Sequence, residues 1–212
     1  MQPLHPSRPT RQKPARIRIL DAAHELMLTI GLARATTKEI AKAAGCSEAA
    51  LYKYFPSKEE LFISVLRERL PQLAPLLASL AAEPGRDTLL ENLTEIARQA
   101  ALFYEQSFPI AASLYAETQL KRRHEESMRS MGSGPHMPIR GLDAYLRAEQ
   151  DAGRVRAGVD TYAAASLLLG ACAQRAFAYD STEEGKPPPV DEFAAAIART
   201  LLGGISVADE PS

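Results

Sequence analysis

Glu48, Ala49, Lys53 and Tyr54 fall on the same side of a short helical stretch. They are polar or small groups able to approach base edges and phosphates. Thr36, Thr37, Lys38, Ser47, Tyr52 and Lys58 surround them. Positioning such a set takes short helices with firm ends. Thr36-x-x-Glu39 fits a capping box, and Ile40 and Ala44 then share a face. Gly45 suits the left-handed conformation that stops a helix. Ser47 caps the next helix, through Tyr54, and Pro56 ends it. Ser57-x-x-Glu60 opens a third. Ala41 and Ala44 let two helices cross closely, while Leu51 and Phe55 pack inward against Ile40. Two helices joined by a glycine turn form a helix-turn-helix, whose second helix enters the major groove of DNA. An ordinary helical hairpin with solvated lysines shows the same bare pattern.

Charge distribution supports the nucleic-acid reading. The 212-residue chain has a net charge of −1. Residues 1–58 nevertheless hold ten Lys and Arg against four Asp and Glu, and residues 59–212 hold fifteen against twenty-two. A basic head on an acidic body concentrates attraction for phosphate at one end. The two cysteines, Cys46 and Cys172, lack metal spacing and imply no disulfide framework, which suits a reducing cytoplasm. No apolar run reaches membrane-spanning length, and the N-terminus lacks the apolar segment of a signal peptide. Alanine is abundant and strand-like alternation scarce, so the class is all-α.

About nine helices are expected. Four prolines make residues 1–14 a disordered basic arm. The first helix spans Ala15 to Ile30, with Ile19, Ala23, Leu26 and Ile30 inward and Gly31 at its end. Arg16 and Arg18 sit near its start, where the helix dipole disfavours cations and phosphate or solvent would compensate. The helix opened by Ser57 buries Leu61, Phe62, Val65 and Leu66. Pro71 and Pro75 predict a break near Leu70, then a short apolar helix to about Leu80. Asp87 to Ser107 reads as a central helix with a wide apolar face. Pro109 fits the first turn of the next one, ending near Gln119. Residues 121–126 read as a charged surface segment and residues 131–138 as a flexible break. Further helices end near Ala152, span Thr161 to Tyr179, and run from Val190 to about Leu202. The domain boundaries fall at 15–60 for the reader and 61–205 for the body, with a flexible tail over 206–212.

The ordered array from Thr36 to Leu61 adds Tyr52, Tyr54, Phe55 and Lys58 to the caps and glycine turn. Together with Ile19-Leu20-Asp21-Ala22-Ala23 and Gly31 it resembles the DNA-binding domain of the TetR family of transcriptional regulators. The match covers about the first 70 residues; beyond them only the helical layout is similar. The resemblance implies a homodimer on a palindromic operator, released by a small-molecule effector. By resemblance, Thr36, Thr37, Lys38, Tyr52 and Lys58 clamp phosphates. Ser47, Glu48, Ala49, Ala50, Lys53 and Tyr54 complete the DNA-facing set. There Ala49 can touch a thymine methyl and Glu48 can accept from cytosine N4. The last two helices would pair with their mates through Leu167, Leu168, Ala171, Arg175, Phe193, Ile197 and Leu201. The implied ligand cavity has Phe62, Phe103, Tyr104, Phe108, Tyr115, Met128, Arg175 and Phe177 as candidate walls, though aromatics at helical spacing are usually plain core. Arg175 lies in an apolar helix, where it would face a carboxylate-bearing ligand or pair across the dimer.

Other chemistry finds little support. His124, Glu125, Glu126 and His136 match no familiar metal motif, and no cofactor is expected. Cys46 sits in the reader's turn, where a buried, inert thiol is the usual case. No Gly-rich phosphate loop, HExxH or nucleophile elbow marks an enzyme. The main rival keeps DNA binding but replaces the small effector with a protein partner.

Overall fold

In the computed structural model, residues 13–31, 34–70, 73–116, 118–130, 134–179 and 187–205 are described. Most of the N-terminal arm, the break after Leu70, residues 131–133 and the tail from 206 lie outside them. The described residues form ten helices and no strand, and no helix is long and apolar enough to cross a membrane. The chain divides into two compact units, Met1–Arg69 and Leu70–Ser212.

The first unit holds α1 (Ala15–Ile30), α2 (Thr37–Ala43), α3 (Glu48–Tyr54) and α4 (Lys58–Arg69). Its buried set includes Ile19, Leu20, Ala23, Met27, Ile40, Leu51 and Phe55. Leu26 is only half-buried and Ile30 is exposed, so the inward stripe of α1 passes through Leu20 and Met27 instead. Helix α4 packs on α1 and buries Leu61, Phe62 and Val65. By contacts it groups with the helices before it. The contact boundary therefore follows Arg69, where the sequence sets a boundary at residue 60.

Arg16 and Arg18 do not stand free at the start of α1. Arg16 grips Glu68 and lies over the Phe55 ring, 5.3 Å from its centroid. Arg18 donates from Nε to the Ala44 carbonyl at 3.0 Å and from Nη1 to the Lys13 carbonyl at 3.0 Å. Both charges are met within the chain, so neither needs phosphate to offset the dipole.

The second unit holds α5 (Leu73–Ala82), α6 (Leu89–Ala116), α7 (Thr118–Ser130), α8 (Met137–Asp151), α9 (Thr161–Tyr179) and α10 (Val190–Ile205). Helix α6 packs against α5, α9 and α10, while α8 packs against α5 and α9. Leu93, Ile96, Ala97, Ala100, Leu146 and Leu169 lie in the shared core. One expectation fails here. Helix α6 continues past Pro109, where the sequence predicts a new start. Pro109 has no N–H to give the Glu105 carbonyl, yet Ile110 beside it is fully buried, and tertiary packing overrides local propensity. The charged segment at 121–126 is largely exposed, as the sequence suggested, and lies within helix α7. There Lys121–Glu125 and Arg122–Glu126 pair across one turn at 3.8 and 3.7 Å, a spacing that supports a helix.

A buried polar network joins α8 to the loop before α6. Glu149 is fully buried and meets Arg154 Nε at 2.8 Å. It also accepts from the Gly85 N–H at 3.2 Å. Asn92 donates to the Tyr145 hydroxyl at 3.0 Å and to the Arg86 carbonyl at 2.7 Å. Burial pushes the Tyr145 phenol above its ordinary range. Nothing in the local sequence marks the Glu149–Gly85 and Asn92–Tyr145 contacts, whose partners lie 64 and 53 positions apart.

Candidate nucleic-acid interface

Local chemistry fixes the two short helices. The Thr36 hydroxyl accepts from the Glu39 N–H at 3.2 Å, and Glu39 accepts from the Thr36 N–H at 3.0 Å. The capping box is therefore complete. Hydrogen bonds from the Thr36 backbone and hydroxyl hold the Glu39 carboxyl below its usual range. At the far end Gly45 takes φ 65°, Gly45 N–H donates to Lys42 and Cys46 N–H to Ala41. That is the paired closure a left-handed residue makes possible. Ser47 then accepts from the Ala50 N–H at 3.1 Å and starts α3. Ser57 does the same for Glu60 at 3.1 Å and sets Lys58 at the start of α4.

These ends turn one face of α3 outward. Tyr52 is 44% exposed and Tyr54 48%, and Glu48, Ala49 and Lys53 are exposed beside them. Thr36, Lys38 and Ser47 are exposed, whereas Thr37, Ala50 and Lys58 are half-buried. Three expected contacts meet directly. Thr37 Oγ1 donates to Glu48 Oε1 at 2.5 Å and lies 3.3 Å from the Tyr52 hydroxyl. Glu48 is thus turned toward α2, a direction that helical spacing alone does not settle. Cys46 is half-buried in the turn.

In the second unit, α9 and α10 form an apolar groove of about 540 Å³. Leu167, Leu168, Ala171, Ile197 and Leu201 line it, and Leu167 is 68% exposed. Arg175 and Phe193 are not among its lining residues. Arg175 is buried and ion-paired with Glu105 of α6, donates to the Pro188 carbonyl at 2.9 Å, and lies 5.3 Å over the Phe193 ring. Its charge is met inside the subunit, where the sequence pointed to a ligand or a second copy.

Two pairs of candidate cavity walls touch. Phe103 and Tyr104 meet edge-on at 5.3 Å, as do Phe108 and Phe177 at 5.5 Å. Tyr104 packs on the core, and burial raises its phenol. Phe177 is exposed, Met128 half-buried and Phe62 fully buried on α4. The Tyr115 side chain lies outside the described residues. None of the others lines a second cleft, of about 260 Å³, between α5 and α6. Among the described residues no group of three His, Cys, Asp or Glu side chains is placed to hold a metal ion.

Comparison with known proteins bears on the family and the fold. Residues 19–65 match the model of bacterial regulatory proteins, tetR family. The fatty acid metabolism regulator protein of Bacillus subtilis is 24% identical over 165 residues, covering 76% of this chain and 80% of that protein. The nucleoid occlusion factor SlmA of Marinobacter nauticus is 30% identical over 167 residues, covering 65% of this chain and 81% of that protein. A solved TetR-family transcriptional regulator from Mesorhizobium loti superposes with a TM-score of 0.68 at 21% identity, covering 93% of this chain and 100% of that one. With its capped helix-turn-helix, its all-helical body and these relatives, the chain belongs to the TetR family of DNA-binding transcriptional regulators.

Proposed function

We propose that the protein is a ligand-responsive repressor that binds a palindromic operator as a homodimer. The exposed outer face of α3 carries this reading, since Tyr52, Lys53 and Tyr54 stand out from a helix whose ends are fixed. Thr36, Thr37, Lys38, Tyr52 and Lys58 then hold phosphates, while Ser47, Glu48, Ala49, Ala50, Lys53 and Tyr54 line the groove side. Phosphate contacts set register and base contacts set preference. Pairing of two subunits through the α9–α10 groove would cover Leu167 and place two readers on successive major grooves, roughly 34–36 Å apart. Release follows when an effector binds the DNA-incompetent arrangement more tightly, by about 1–3 kcal/mol of coupling. The protein then works in the cytoplasm, where its operator lies.

A gel shift with the DNA upstream of the protein's own gene tests this. Wild type is expected to retard that duplex, and Tyr52→Ala to weaken binding to every sequence. Normal operator binding by Tyr52→Ala would remove the phosphate assignment. The 30% identity to a nucleoid occlusion factor favours a second reading, in which a protein partner replaces the small effector. Thermal-shift screening with small apolar compounds separates the two: stabilisation by such a compound supports the effector reading, and a silent screen beside a co-purifying protein supports the second.

A further inference from the structure

The hydroxyl protons of Thr37 and Tyr52 are both committed within the interface. Thr37 Oγ1 stands 2.5 Å from Glu48 Oε1. A carboxylate only accepts, so the Thr37 proton points at Glu48. A hydroxyl has one proton to give, so in the 3.3 Å contact the Thr37 oxygen accepts and Tyr52 donates. A directed chain results, from Tyr52 through Thr37 to Glu48, crossing from α3 to the first turn of α2 and back. Of two groups proposed as phosphate contacts, Thr37 therefore points at an internal anion and Tyr52 points at Thr37. Glu48 itself is exposed and contributes nothing to the core.

We propose that Glu48 is a specificity filter built into the reader. Binding to arbitrary duplexes rests almost wholly on phosphate electrostatics. Glu48 weakens that term twice, by adding a negative charge beside the backbone and by holding the hydroxyls that would donate to it. The loss is recovered only on a site that presents a donor to the carboxylate, of which cytosine N4 is the base-edge example. Discrimination then comes from a penalty on wrong sequences as much as from attraction to the right one. This inference rests on the proposed phosphate roles of Thr37 and Tyr52.

The test compares wild type, Glu48→Gln, Glu48→Ala and Tyr52→Phe across a salt series. The probes are a random-sequence duplex and the duplex that wild type selects from a randomised pool. Both Glu48 variants should bind the random duplex roughly three- to tenfold more tightly, with a salt slope steeper by about one unit. Their preference for the selected duplex should fall. Gln and Ala both suit a helix, so the fold is expected to survive either replacement. If both Glu48 variants bind the random duplex no more tightly than wild type, the filter is rejected. A general loss of affinity by Tyr52→Phe in that same series would keep the phosphate reading standing without the filter. Wild-type behaviour of Tyr52→Phe on both probes would reject the phosphate reading, and the filter with it.

Discussion

Arg16 reaches from α1 and grips both oxygens of Glu68 on α4, at 2.7 and 2.8 Å. The hydrogen bonds from Arg16, with its charge, hold the Glu68 carboxyl down at about 2, against an ordinary 4.5. The folded value is the lower one, so this contribution is complete above the unfolded value and is lost as pH falls through the folded value. Arg16 is 40% exposed, and solvent screening limits the pair to at most about 1 kcal/mol. Glu68→Gln should lower the melting temperature at neutral pH. Thermal unfolding of both proteins should show that difference closing as pH drops from about 4.5 toward about 2.

The Glu149–Arg154 pair should cost far more to break. Glu149 has no exposed surface, and Arg154→Met leaves its carboxylate buried without its cation. Loss of one partner from a buried pair is worth about 3–5 kcal/mol. Arg147, paired with Asp143 at 3.2 Å, is mostly exposed, so Arg147→Met should cost less than about 1 kcal/mol. Urea unfolding of the two variants side by side measures the contrast.

Leu167→Glu should convert a dimer to a monomer while leaving the subunit folded. Leu167 is exposed within the subunit, and substitutions at such positions usually shift folding by about 0.5 kcal/mol or less. A charge placed in the α9–α10 groove cannot be buried against a second copy without heavy desolvation. Light scattering at micromolar concentration reads the mass, and a gel shift should show weakened operator binding.

Cys172 should resist alkylation in the native protein. Its thiol is buried, contacts the Ala97 carbonyl at 3.5 Å, and is pushed up to about 12 by desolvation. The thiolate is the reactive form, so almost none is present near neutrality. Iodoacetamide followed by mass spectrometry should label half-buried Cys46 and reach Cys172 only after denaturation.

What the sequence revealed was local. The Thr36 box, the Gly45 closure and the Ser47 and Ser57 caps each depend on residues within a few positions, and each formed as read. Ionic partners were hidden by distance along the chain. Arg16 finds Glu68 across 52 positions, and Arg175 finds Glu105 on another helix. No periodicity encodes such pairs, so both arginines looked free for outside partners. Pro109 misled for a related reason, because its intrinsic preference yields to packing that only the assembled helices supply. Along the reader, helical spacing fixed which residues face outward but not which way Glu48 bends.

Helix α3 has seven residues, two turns at most. Isolated helices shorter than about 12–15 residues are marginal in water. A synthetic peptide copied from Ser47 to Phe55 would therefore be mostly coil, and would lose the spacing between its side chains. Leu51 and Phe55, sunk among the neighbouring helices, give those two turns their shape. Anyone transplanting this recognition surface onto another scaffold would need to carry α1, α2 and α4 along with it.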